Sequence, residues 1–163
     1  MKMDAKKGVE KLQRFIANID KAIDEGLADT ANFARQEMKD NLNEYDFSVK
    51  PQALLSSINS QKIADKHYQI SADGGYAVYT EFGTGVVGQK NPHPEAGQRD
   101  VIYDRKGHGE EGWWFKTGKG TWRHTTGQTS RPFVYKTTIE LRKQLPLRVK
   151  RRIRHYLKDL NRQ

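Results

Sequence analysis

The chain has 163 residues, no cysteine, 35% hydrophobic and 30% charged residues, and a formal net charge of +9. That length suits one domain able to bury a core unaided, and the missing cysteine excludes a disulfide framework, a thiol nucleophile and a cysteine-type zinc site, as fits a reducing compartment. The charged start Met1-Lys2-Met3-Asp4-Ala5-Lys6-Lys7 has no apolar run behind it, and no stretch approaches the roughly 18 apolar residues of a membrane span, so neither secretion nor membrane insertion is expected.

From Asp4 to Leu42 the apolar residues Val9, Leu12, Ile16, Ile19, Ile23, Leu27, Ala31, Ala34, Met38 and Leu42 recur every three or four positions, which predicts one long amphipathic helix. At 1.5 Å per residue it runs on the order of 50 Å, longer than a small domain needs for its own core. Gly26 offers a bend that would fold the helix back; otherwise part of its stripe faces a neighbour. Pro51 suits the first turn of a short helix to about Ser57. Ser57 to Ala64 and His67 to Ala72 alternate well enough for an antiparallel hairpin turning at Asp65-Lys66. After the turn Asp73-Gly74-Gly75, Tyr76 to Phe82 reads as a short helix ended by Gly83, with a third strand as the alternative.

Residues 84 to 110 lack an apolar period and are expected to form a long loop or an arm that orders against something else. Trp113-Trp114-Phe115 and Thr121-Trp122-Arg123-His124, flanking Thr117-Gly118-Lys119-Gly120, predict a second hairpin carrying all three tryptophans. Ser130 then serves as an N-cap region and Pro132 as the first residue of a helix that Pro146 should kink or interrupt. Residues 140 to 163 carry +7 of the net charge, through Arg142, Lys143, Arg148, Lys150, Arg151, Arg152, Arg154, Lys158 and Arg162 against Glu140 and Asp159. Such a helix can meet phosphates or an acidic protein surface, or simply be solvated. The fold class expected is α+β: a long N-terminal helix, a small antiparallel sheet with a long loop and an aromatic hairpin, and a basic C-terminal helix kinked at Pro146.

Residues that could carry chemistry are thinly spaced. His93, His108 and His124 accompany Glu95, Asp100, Asp104, Glu110 and Glu111, but no His-x-x-x-His pair or cysteine completes a metal site. Gly83-Thr84-Gly85 and Gly118-Lys119-Gly120 lack the frame of a phosphate loop. Convergence of Glu81 with Asp100, Asp104, Glu110 and Glu111 would make a metal-dependent nuclease, and Trp113, Trp114 and Trp122 could stack bases; a solvated acidic loop and aromatic packing are the plainer readings.

Tyr76-Ala77-Val78-Tyr79-Thr80-Glu81-Phe82-Gly83-Thr84, the later Arg131-Pro132-Phe133 and the element Leu54-Leu55-Ser56-Ser57-Ile58 occur in an order that resembles the tail-completion or neck proteins of long-tailed bacteriophages. The likeness covers most of the chain; Pro51-Gln52-Ala53 stands where the family has Thr-Gly, and the stretch from Val86 to Thr129 is longer than usual. The resemblance implies a single connector domain over 1–163, with an N-terminal helix to 43, a corner over 51–83, a loop and tryptophan hairpin over 84–130 and a basic helix over 131–163. It further implies a non-enzymatic structural protein of the virion, assembled in the host cytoplasm as a sixfold ring at the head-tail junction, without cofactor, metal or membrane. Tyr76, Ala77, Tyr79, Glu81, Phe82, Gly83, Thr84, Pro132 and Phe133 would form the corner or subunit joint. Glu81 would accept backbone N–H bonds there or pair with a basic group on the next subunit. Head-closure, tail-terminator or tail-tube proteins would be its partners, and the basic helix would face either these or DNA in the channel. A nucleic-acid-binding module using that helix is the alternative.

Overall fold

The computed structural model describes residues 5–47, 51–73, 75–98, 100–104 and 106–160. The N-terminal four residues, Gly74 and Arg162, all used in the sequence reading, lie outside them. Helix α1 (Ala5–Asn43) is followed by α2 (Gln52–Ser57), the strands β1 (Ile58–Ala64) and β2 (His67–Ala72), α3 (Ala77–Phe82) and α4 (Gly85–Lys90). Two 3-10 turns, Ala96–Gln98 and Gly109–Glu111, lead to β3 (Trp113–Lys116), β4 (Trp122–Thr125), the two-residue β5 (Gly127–Gln128) and α5 (Phe133–Leu160). The fold is α+β, with two separate two-stranded antiparallel sheets, β1-β2 and β3-β4.

The chain forms two compact units. The first takes α1 up to Glu37, Asn59–Ser71 and α5 from Thr138 onward. Its helix contact is centred on small residues. Ala22, Gly26, Thr30 and Ala34 are buried at intervals of four, whereas Val9, Leu12 and Ile16 of the expected stripe are 55 to 58% exposed. Gly26 does not interrupt α1. A Cβ there would stand 2.9 Å from the Val149 backbone, so the missing side chain lets α5 approach α1 closely. The hairpin β1-β2 turns at Lys66, whose φ is +53°, and buries little apart from Ile58. Polar clips join it to α1: Lys62 Nζ donates to Asp24 at 2.6 Å, the Tyr68 hydroxyl donates to the same carboxylate at 3.2 Å, and Lys66 pairs with Asp20 at 2.7 Å.

The second unit, Met38–Ile58 with Ala72–Thr137, holds the larger buried side chains: Met38, Leu42, Leu54, Ile58 and Phe133. Asn41, buried in the last turns of α1, donates to Thr137 Oγ1 at 3.0 Å, and that hydroxyl donates back to the Phe133 carbonyl at 2.8 Å. The tryptophan hairpin pairs Trp113 with Thr125, Trp114 with His124 and Phe115 with Arg123. The stretch expected to be a loop is partly helical. Gly85–Lys90 forms α4 because Gly85 and Gly127 let Thr84-Gly85 pair edge to edge with Gly127-Gln128, where a Cβ on Gly127 would collide with the Thr84 carbonyl.

Pro146 lies inside α5, which continues through it as one 28-residue helix. Of the kink or interruption expected there, the interruption does not occur; the proline leaves one carbonyl without its amide partner, and packing of Val149 against Gly26 holds the following turns to α1. Pro132 precedes the helix instead of opening it: its carbonyl accepts the Lys136 N–H at 3.1 Å, the bond of an N-cap residue.

Candidate functional site

Helix α3 has only six residues, too few to be stable alone, so its ends must be satisfied by the surroundings. Ala77 and Glu81, one turn apart, are buried, while Tyr76, Val78 and Tyr79 are exposed. Gly83, at φ +79°, turns the chain out of the helix and donates its N–H to the Tyr79 carbonyl at 2.9 Å. A side chain could not stand there, since a Cβ would lie 2.7 Å from the Ser130 nitrogen. The segment leading into α5 donates to the last carbonyls of α3 as well. Gln128 Nε2 donates to Tyr79 O at 2.9 Å, Arg131 N to Thr80 O at 2.8 Å, and Ser130 Oγ to Glu81 O at 2.7 Å. Ser130 therefore caps the end of α3, not the start of α5.

The start of α5 is capped by Glu81 itself. Its carboxylate accepts the Val134 N–H at 2.8 Å through Oε2 and the Tyr135 N–H at 2.9 Å through Oε1. These are two of the four amides that a helix leaves without partners, and a negative charge is favourable at that end. The third donor is His93 Nε2, 3.0 Å from Oε1 and 3% exposed. Its Nδ1 accepts the Glu95 N–H at 3.0 Å, so the proton sits on Nε2 and is donated to Glu81. Phe82 and Tyr135 flank the imidazole, with ring centroids 4.6 and 5.3 Å away. Between Pro92 and Pro94, His93 is presented on a stiffened backbone; two prolines beside a histidine were the available sequence signal. Of the two roles foreseen for Glu81, this is backbone capping. The donors come from α5, beyond the Gly83-Thr84 corner.

Tyr76 joins a further segment. Its hydroxyl accepts the Leu54 N–H at 3.0 Å, capping the first turn of α2. Thr84 Oγ1 accepts the Gln128 N–H at 3.2 Å, and Phe133 is fully buried. Around the joint, Arg131 lies 4.5 Å above the Phe47 ring, and Nη2 donates to the Asp46 carbonyl at 3.3 Å; burial pulls its guanidinium below the ordinary value. The outward sides of Tyr76 and Tyr79 line a cavity of about 530 Å³ together with Ile102, Tyr103, Trp113 and Phe115. Asp104 and His108 also face it. Backbone N–H groups of His108 and Gly109 hold the Asp104 carboxyl below its ordinary range.

The histidines considered as metal ligands are not gathered. His93 serves Glu81, His108 stacks on Trp113 at 5.2 Å, and His124 Nε2 lies 2.7 Å from the Glu111 carbonyl oxygen. Among the described residues no group of three or more His, Asp or Glu is placed to hold a metal ion. Nor is any described helix long and apolar enough to cross a membrane. Of the tryptophans, Trp114 and Trp122 are 65% and 64% exposed.

The basic residues of α5 separate into two sets. Arg152 is bound by Asp29 at 2.6 and 3.0 Å, which raises its already high pKa, and the Arg148 guanidinium lies 4.0 Å above the Phe33 ring. Arg142, Lys143, Lys150, Arg151, Arg154 and Lys158 are exposed. No protein-family model matches the chain, and neither a curated protein nor a solved structure matches it.

Proposed function

We propose that the protein is a structural component of a long-tailed bacteriophage virion, a tail-completion or neck subunit that forms a ring joining the capsid connector to the tail tube. The observation that carries this reading is the joint itself. The three segments in which the sequence resembles that family, Leu54 to Ile58, Tyr76 to Thr84 and Arg131 to Phe133, meet through the Tyr76 hydroxyl, which accepts the Leu54 N–H, and the Thr80 carbonyl, which accepts the Arg131 N–H, while Glu81 caps the helix that follows. That these separate pieces lie in one hydrogen-bonded unit supports reading them as one functional corner. Surfaces for neighbours support the same reading. Val9, Leu12, Phe15 and Ile16 are 44 to 58% exposed on α1, and Tyr76 and Tyr79 turn apolar faces to an open cavity. A ring subunit needs such faces, because each copy must offer one surface and receive another. Its partners are other copies and the head-closure, tail-terminator or tail-tube proteins beside them.

Deletion of the gene from the phage tests this. Heads and tails are expected to accumulate separately, with joining restored by the wild-type chain, and a reconstruction of the complemented neck should contain the α1 and α5 rods in a closed ring. Normal joining without the protein overturns the proposal.

A further inference from the structure

We infer that the exposed face of α5 is a binding surface for the phosphate backbone of duplex DNA, read without regard to base sequence. Leu141 to Lys158 contains eight Lys and Arg and no Asp or Glu. The structure divides these eight. Arg148 and Arg152 turn to Phe33 and Asp29 of α1, Lys143 pairs with Glu140 at 3.3 Å, and Arg142 is exposed away from the arc of the remaining four. Lys150, Arg151, Arg154 and Lys158 are exposed, and among the described residues no carboxylate engages any of them. At 100° per residue these four fall within roughly 100° of the helix circumference and rise about 12 Å along it. A cationic stripe has formed because the helix spends its inward arginines on α1 and leaves the others to solvent.

The composition of the stripe separates its two available partners. A protein interface is centred on aromatic and apolar anchors, and lysine is depleted there. Here the only large apolar side chain on the line is Leu147, 60% exposed, and the rest is ammonium and guanidinium. Linear, charged and with a single apolar side chain, the surface fits a polyanion, and duplex DNA presents one negative charge per about 1.7 Å of axis. Contacts of this kind position a duplex but do not read its bases. The inference does not depend on the head-tail assignment, since it needs only the charges on one helix.

Fluorescence anisotropy of the full chain with two labelled duplexes of unrelated sequence provides the test. With four phosphates neutralised, affinity should fall on the order of a hundredfold between about 50 and 200 mM salt, equally for both duplexes. The triple variant Lys150→Gln, Arg154→Gln, Lys158→Gln should lose most of the binding and retain only a few-fold salt effect. Lys116→Gln, Lys119→Gln, Arg123→Gln, which removes the same charge from the tryptophan hairpin, should bind as wild type. Circular dichroism checks that both are folded; should the triple variant not fold, Arg154→Gln alone should lower the salt slope by about one. Equal losses in the two triple variants, binding indifferent to salt, or displacement of duplex by poly-glutamate at equal charge would each overturn the inference. Preference for single strands that is lost with the hairpin tryptophans would do so too. Failure of the phage deletion experiment would leave these results unchanged.

Discussion

At the scale of single residues, Glu81 is the most consequential side chain. One carboxylate serves two helix amides and a buried imidazole, and each of the three donors would be stranded by its removal. Loss of a helix cap costs about 0.5–2 kcal/mol, and an unsatisfied buried donor about 1–3 kcal/mol. Glu81→Ala is therefore expected to destabilise by about 2–4 kcal/mol, read as a lower urea midpoint, and to weaken assembly, while leaving salt-dependent duplex binding by α5 in place. Glu81→Gln keeps one acceptor oxygen but opposes an N–H with an amide nitrogen, so its midpoint should fall between. An unchanged midpoint in Glu81→Ala would show that the cap contributes nothing.

At the scale of elements, the β1-β2 hairpin depends on charge more than on burial. Lys62 is the main reason that the Asp24 carboxyl lies below its ordinary 3.8, with burial working against it and the Tyr68 hydroxyl assisting. A carboxyl lowered by folding stabilises the folded state above its unfolded pKa, and that contribution disappears as pH falls through the folded value. Lys66 is pushed up to about 12, first by Asp20 and then by Asp65. Its contribution is complete below 10.5 and disappears as pH rises through about 12. Protection factors for amide exchange in β1 and β2 should accordingly be highest across neutral pH and fall at both extremes, and Asp24→Asn should remove the acidic limb alone. An acidic limb that survives Asp24→Asn would assign it to other carboxylates.

Most elements were legible in the sequence, because period, turn chemistry and length are local properties. Both long helices, both hairpins and the helical reading of Tyr76 to Phe82 have local signals of that kind. What was not legible depends on approach between distant segments. Gly26 has the sequence signature of a bend and the structure of a contact, a distinction that only Val149 decides. Helix α4 rests on Thr84-Gly85 pairing with β5, and His93 became a partner of Glu81 only once the segment after α4 had folded back. Pro146 is tolerated inside a continuous helix where a proline rule foretells a kink or a break, because tertiary contact outweighs one missing hydrogen bond.

For the molecule as a whole, the exposed apolar turns of α1 are where a functional contact should be separable from the fold. Leu12 and Ile16 are both 58% exposed, so Leu12→Glu with Ile16→Glu should change stability by no more than about 0.5 kcal/mol. On the proposed neck function, the same pair should lower incorporation into phage particles at least tenfold, measured by quantitative mass spectrometry of purified virions. Incorporation at the wild-type level would show that this face meets no neighbour.

The reciprocal capping at Glu81 also sets a timetable for biosynthesis. At about 5–20 residues per second, the ribosome needs several seconds after Glu81 to produce Tyr135 and then clear it from the exit tunnel. Until then the nascent α3 has neither its terminal acceptors covered nor its carboxylate matched, and the cost of closing more than fifty intervening residues remains unmet. Maturation of the corner thus waits on the synthesis of Tyr135, and a stalled chain truncated before Arg131 should expose Tyr76 to Phe82 to proteases and chaperones.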